Sequence, residues 1–350
     1  MSAEFEALRQ LSARIGADPL LVQGAGGNTS VKENGVLWIK ASGRWLSEAA
    51  RGDMFVPVGF GPLLEAVRLD HPDAERAEKF IAPGHDAKGL RPSIETAVHA
   101  LLPQKIVVHV HCVSTIAHAV RTDAESVLTP LLRSIEHAFI PYKRPGLPLA
   151  KAIAISLKPQ TAALVLGSHG LVVAAETVAD ASLLLEKVCS RLRLAPRSSP
   201  SPDLPALAHL AAGSPYRLPA DPRAHRAALD PASCAIAAGG SLYPDHVVFL
   251  GAGSMIAEAG ETAASIEAAA KQEGARPPVS ILFPGAGVLM RADADKGAEA
   301  MAGCLADVTS RIVPGAPIRY LSFDENAELL NWDAEKYRQE LNRRAPGAAP

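Results

Sequence analysis

The sequence predicts an α/β protein with a larger domain first and a smaller one after it, on three observations. At 350 residues and 36.6 kDa the chain is longer than one average domain and short of three. Runs rich in valine and isoleucine alternate with stretches of helical periodicity, the pattern of α/β folds. One abrupt break, the proline and serine rich stretch from Ala195 to Pro202, divides the chain. With 48% hydrophobic and 21% charged residues there is ample material for a buried core, which excludes a disordered or collagen-like chain.

Phe5, Leu8, Leu11 and Ile15 recur at helical spacing, so an opening helix is expected, stopped by Gly16-Ala17-Asp18-Pro19. A glycine-rich turn, Gly24 to Ser30, then leads into Val31-Lys32, an Asn34-Gly35 hairpin signal and a strand from Val36 to Lys40. Arg91-Pro92-Ser93 precedes a short helix that Ser93 can cap, with Glu95 and His99 one turn apart. Ile106 to His111 reads as a strand, and Ala162 to Leu166 as a second one that runs into Gly167-Ser168-His169-Gly170. The apolar stripe Val178, Leu183, Leu184, Leu185, Val188, Leu192 predicts an amphipathic helix that closes a first domain at residue 194. A linker is expected over 195–208. The smaller α/β domain over 209–350 is then read from two apolar strands, Val247 to Leu250 and Val279 to Phe283, with alanine-rich helices between and after them.

Composition narrows the function. Lysine and arginine number 35 against 37 acidic residues, a formal charge of -2, so the basic footprint of a nucleic-acid binder is missing. The charged opening MSAEFEALRQ has no signal-peptide core, and no apolar run approaches the ~20 residues of a spanning helix, so neither secretion nor a membrane partner is expected. Cys112, Cys189, Cys234 and Cys304 are dispersed without a CxxC pair, which suits a reducing cytoplasm.

His109 and His111 stand two apart in a predicted strand, so both imidazoles project from one face and can share a cation, although such pairs also occur on solvated strands. His169 follows a strand end and precedes Gly170, where a tight turn can aim its ring at a site built from another strand. Three neutral imidazoles with an open position describe a catalytic divalent-metal site of the zinc type. Glu95 at a helix start is either an ordinary dipole-stabilised surface charge or a held carboxylate. Gly26-Gly27-Asn28-Thr29-Ser30 and Ala41-Ser42-Gly43 offer N–H groups and hydroxyls for an anion, or are plain turns. His118 and His137 on predicted helices, and His246 before a predicted strand, read as packed or solvated; His99, at i+4, is placed to orient Glu95.

In order along the chain, GGNTSVK, KASG, RPSIETAVH, VVHVH and GSHGLVV resemble the class II aldolase and adducin head family, which includes the L-fuculose-phosphate and L-rhamnulose-phosphate aldolases. The likeness covers about residues 3 to 194. It implies a three-layer α/β/α domain with a mixed, largely antiparallel central sheet. It also implies His109, His111 and His169 as ligands of a divalent metal, Zn2+ first, Glu95 as catalytic acid-base, and Asn28, Ser42, Gly43 and Ser93 as the lining of a phosphate pocket. Those aldolases take a tyrosine from a neighbouring subunit to protonate the leaving group, and Tyr142 in Ile140-Pro141-Tyr142 is the nearest candidate, with packing beside Pro141 and Pro145 as its structural alternative. Ile94 stands where the small phosphate aldolases carry a second serine, and it cannot donate to phosphate.

LWIKASG, RPSIETAVHALLP and FDENAELLNWDAEKYRQEL further resemble the aldolase half of bifunctional aldolase/short-chain dehydrogenase proteins. Gly251-Ala252-Gly253 and Gly285-Ala286-Gly287 each lack the third glycine of GxGxxG, so no NAD is expected. The resemblance thus implies a metal-dependent aldolase that cleaves a ketose or ketose 1-phosphate through a metal-stabilised enediolate, assembled as a cyclic homotetramer. Decarboxylases, an epimerase and a dehydratase of sugar phosphates share the metal site, and adducin-type heads are interaction modules that have lost the histidines; the intact His109, His111 and His169 argue against the latter.

Overall fold

Asn34 and Gly35 adopt left-handed φ values of 51° and 77°, as the two central residues of a tight hairpin turn require, and they join β1 (Asn28–Glu33) to β2 (Val36–Lys40) in antiparallel register. The computed structural model describes residues 2–333 together with 336, 337 and 341, and the end of the expected second domain at 342–350 lies outside them. Among the described residues two units form: one holds those up to Ala119 with Asp123–Arg193, the other Val120–Thr122 with those from Leu194 to residue 341.

The first unit is built on seven strands. β3 (Phe55–Gly59), β4 (Ile106–Val110), β5 (His137–Ile140), β6 (Ala163–Leu166) and β7 (Gly170–Ala175) complete a sheet of order β3-β2-β1-β4-β7-β6-β5. Only β5 and β6 run parallel, so the sheet is mixed and largely antiparallel. Strand alternation sends Val31, Ile106, Val108, Val110, Leu171 and Val173 to one face, where they pack with Phe5, Leu8 and Leu11 of helix Ala3–Gly16 and with Leu185 and Val188 of helix Val178–Arg191. Val107, Val172 and Ala174 point to the other face, against Leu63 of helix Phe60–Arg68, Val98 of helix Thr96–Leu101 and Leu149 of helix Leu147–Ser156. Helices on both faces of one sheet make the three-layer α/β/α domain. The polar side chains Asn28, Ser30 and His109 share the second face with Val107, which places them under helix Thr96–Leu101.

The second unit has a smaller sheet, order β8-β11-β10-β9, from β8 (Tyr216–Arg217), β9 (Met255–Ile256), β10 (Ser280–Phe283) and β11 (Gly287–Arg291). Its core joins Leu207, Ile266, Ile281, Phe283 and Leu289, and Asp307, buried in the same unit, is neutralised by Arg223 at 2.7 Å and Arg311 at 3.0 Å.

Several elements differ from the sequence reading. Val247 to Leu250 belongs to helix Pro244–Leu250, not a strand: every residue of that helix is buried, and a four-residue apolar run without polar alternation cannot tell a buried helix from a buried strand. His246 accordingly sits inside this helix, its Nε2 3.0 Å from the Gly253 carbonyl. His137 opens β5 rather than lying in a helix, because residues 137–140 pair with Ala163 to Leu166. The expected linker over 195–208 becomes helical at Leu204, capped by the Asp203 side chain, and Arg197 within it is fixed to Asp230 at 2.6 Å. Among the described residues no helix is long and apolar enough to cross a membrane.

Candidate metal centre and carboxylate

Antiparallel pairing sets Asn28 of β1 opposite His109 of β4, and His109 opposite Val172 of β7. The i,i+2 relation carries His111 to the same side just past the end of β4. His169 arrives from the turn before β7, where Ser168 holds a left-handed φ of 50° although it is not glycine. Such a residue costs on the order of 1–3 kcal/mol and persists only where the surroundings impose it. One consequence is that the ligand atoms offered by His109, His111 and His169 all lie within 4.8 Å of one another, with all three residues buried.

The His109 Nδ1–H donates to the Leu171 carbonyl at 3.1 Å, which leaves Nε2 as the lone-pair nitrogen. That Nε2 is 3.1 Å from His111 Nε2 and 3.3 Å from Glu95 Oε2, and His169 Nε2 is 3.5 Å from Glu95 Oε1. Electron-rich atoms therefore converge on one point. Ligand arms of about 2.05 Å at tetrahedral angles would separate neighbouring donors by roughly 3.4 Å; the His109–His111 pair at 3.1 Å is close to this, and the three buried imidazoles fit a divalent cation.

Glu95 is 5% exposed and stands at the N-cap position of helix Thr96–Leu101. It is no surface charge, and its side chain does not cap the helix. Ser93 does not cap the helix interior either; its Oγ accepts from the Glu95 N–H at 3.3 Å and from the Asn28 amide at 3.1 Å. The same Asn28 Nδ2 donates to Glu95 Oε2 at 2.8 Å. Burial pushes the Glu95 carboxyl up, but positive charge at His109 and His169, the Asn28 amide and positive charge at His111 outweigh it and lower its pKa to about 2, so beside a cationic centre the group is a carboxylate. His99 does not orient Glu95: its Nδ1 pairs with Ser30 Oγ at 2.7 Å, and burial lowers its pKa to about 3.

Ser42 and Gly43 reach the neighbourhood through a bridge between Ala41 and Pro92, with Gly43 at φ 74°. The Ser42 N–H is committed to the Arg91 carbonyl at 2.9 Å and the Gly26 N–H to the Gln23 carbonyl at 3.0 Å, so neither serves an anion. Tyr142 lies half-buried in the loop after β5; its backbone nitrogen would be 2.9 Å from a Cβ on Gly167, two residues before His169. The structure thus gathers Asn28, Ser93, Glu95, His109, His111 and His169, sets Ser42 and Gly43 beside the segment that leads to Ser93, and keeps Tyr142 on a separate loop. A feature that periodicity and spacing do not reveal is Lys40, 2% exposed at the end of β2; its signals were a lysine closing an apolar strand and its place at the head of the KASG motif. A cleft of about 1020 Å³ in the second unit, lined by Phe249, Gly251, Arg276 and Arg291 among others, contains no such cluster, and the histidine group is the one potential metal-holding set among the described residues.

Gly170 is where this centre is most tightly packed. A Cβ there would meet the Val110 carbonyl oxygen at 2.5 Å and the rings of His109 and His111 at 3.3 Å. Gly170→Ala is expected to cost about 2 kcal/mol or more in urea unfolding by overpacking. A variant as stable as the parent would show that the turn has room.

A fold of this topology with three histidines and a carboxylate at one sheet face defines a class, and the chain belongs to it: residues 7–195, just over half its length, match the Class II Aldolase and Adducin N-terminal domain family. Among curated proteins it is 31% identical over 184 residues to the uncharacterized oxidoreductase YuxG of Bacillus subtilis, a match spanning 49% of this chain and 26% of that protein. The chain therefore spans about a quarter of the length of this relative. Among solved structures, the N-terminal class II aldolase domain of a conserved protein from Thermoplasma acidophilum is 28% identical, covering 55% of this chain and 93% of that one at a TM-score of 0.47. L-fuculose-1-phosphate aldolase from Thermus thermophilus is 19% identical, covering 55% and 93% at a TM-score of 0.36.

Proposed function

We propose that the chain is a metal-dependent aldolase that cleaves a ketose or ketose 1-phosphate, with residues 1–194 as the catalytic domain. The observation that carries this reading is the convergence of the buried His109, His111 and His169, with the buried Glu95 3.3 Å from His109 and 3.5 Å from His169. A divalent ion bound there, zinc by the all-imidazole donor set, would supply Lewis-acid polarisation of a carbonyl and its adjacent hydroxyl oxygen.

The protein's own groups do the rest. In aldol cleavage the bond between the carbon next to the carbonyl and the carbinol carbon breaks, its electron pair stays beside the carbonyl, and the carbinol becomes an aldehyde as its hydroxyl loses a proton. Glu95, kept as a carboxylate and aimed by Asn28, takes that proton or returns one to the carbanionic carbon. Asn28, Ser93, Ser42 and Gly43 form the lining against the substrate's phosphate or terminal hydroxyl. Tyr142 is proposed as proton donor to the leaving group from a neighbouring subunit, in keeping with the homotetramer that the family resemblance implies. No lysine is needed for a Schiff base.

The test is elemental analysis of the purified chain, together with a screen of ketoses and ketose 1-phosphates for release of dihydroxyacetone or its phosphate. About one divalent ion per chain and cleavage of a ketose 1-phosphate are expected. Decarboxylation or epimerisation of a sugar acid phosphate without cleavage would transfer the same site to the alternative chemistry of the family. Absence of stoichiometric metal would remove the reading.

A further inference from the structure

We propose that Lys40 is a positioning residue for this site, one that locks the glycine turn and the Asn28–Glu95 contact into a single frame; the proposal rests on the reaction proposed above. Lys40 closes β2 and is 2% exposed, a place where burying an amine is unfavourable unless its donors are bonded. Its Nζ donates to the Ala25 carbonyl at 2.7 Å and to the Gly27 carbonyl at 2.8 Å. Its own carbonyl accepts the Ser93 N–H at 3.1 Å.

Both segments that Lys40 binds lead straight into the site. The turn touches the imidazoles: a Cβ on Gly26 would lie 2.8 Å from His111 Nδ1, and one on Gly27, at φ +60°, would lie 2.9 Å from the His109 carbonyl oxygen. Glycines give this approach its room but leave the turn many conformations, so an outside bond must select one. Asn28 comes next in the chain and carries the amide that reaches both Ser93 Oγ and Glu95 Oε2. Lys40 is therefore bonded by its side chain to the strand start that bears Asn28, and by its backbone to the segment that bears Glu95. An apolar residue would fill the same volume and hold neither carbonyl.

The experiment compares the metal-loaded full chain with K40M, K40R, N28A and the double variant K40M/N28A. In K40M, kcat is expected to fall about 10-fold or more with KM changed by less than about 3-fold, as for a group that places the machinery rather than binds substrate. Metal content is expected to stay at the parent level, and K40R to recover most of the turnover. Adding N28A to K40M should cost much less than N28A alone, because the two act through one contact. A crystal structure of K40M should show the turn displaced and the Asn28–Glu95 hydrogen bond broken. An unmoved turn with that bond intact, or additive losses in the double variant, overturns the proposal. If K40M does not fold, K40Q carries the same expectations. If the parent turns over no substrate, the proposed reaction fails while the crystallographic comparison still decides the role of Lys40.

Discussion

Glu95→Gln is expected to lower turnover about 10²-fold or more while the protein keeps its fold and its metal, the range typical of losing a general acid-base group. The substitution preserves shape and can still receive the Asn28 amide on its oxygen, so the hydrogen bond at 2.8 Å need not be lost. What it removes is the negative charge that His109 and His169 face at 3.3 and 3.5 Å. A purely structural carboxylate would behave otherwise: melting temperature would shift and catalysis would stay. Kinetics and a thermal melt on this one variant separate the two, and full activity would end the assignment of Glu95.

His109→Ala is expected to abolish stoichiometric metal binding and to lower turnover about 10³-fold or more, since Lewis-acid stabilisation is worth several kcal/mol and each 1.4 kcal/mol is a factor of ten. His109 is the central ligand by geometry. It lies on the middle strand of the sheet, its Nδ1–H is tied to Leu171, and its Nε2 is near both His111 and Glu95. Chelator treatment of the parent should reproduce the loss and added metal should reverse it, whereas added metal should not rescue the variant. Elemental analysis of His109→Ala that finds the parent's metal content would exclude this ligand set.

Much of the centre was legible in the sequence because its chemistry depends on local relations. His109 and His111 share a face by the two-residue period of a strand, the hairpin at Asn34-Gly35 is set by left-handed φ preferences, and the amphipathic stripe of Val178–Arg191 follows from helical periodicity. These signals reside within a few residues of chain. The order of the motifs then gave the family and, with it, the three-layer architecture. Val247 to Leu250 failed for a corresponding reason: wholly buried segments lose the polar alternation that distinguishes the two periods, and only packing arbitrates.

The rest depended on which segments meet. The sequence alone determined that one strand offers two imidazoles to a common point and that a third waits in a turn. Only the tertiary structure decided that β7 lies beside β4, so that His169 joins them, and that Glu95 is buried and ionised rather than a solvated helix-start charge. It also decided that His99 serves Ser30 and that Lys40, at the end of an ordinary strand, reaches back to the glycine turn. The physical reason is that strand pairing and the burial of a charge are long-range outcomes: they depend on partners 13 to 69 residues away in the chain, for which no local period or propensity carries a signal.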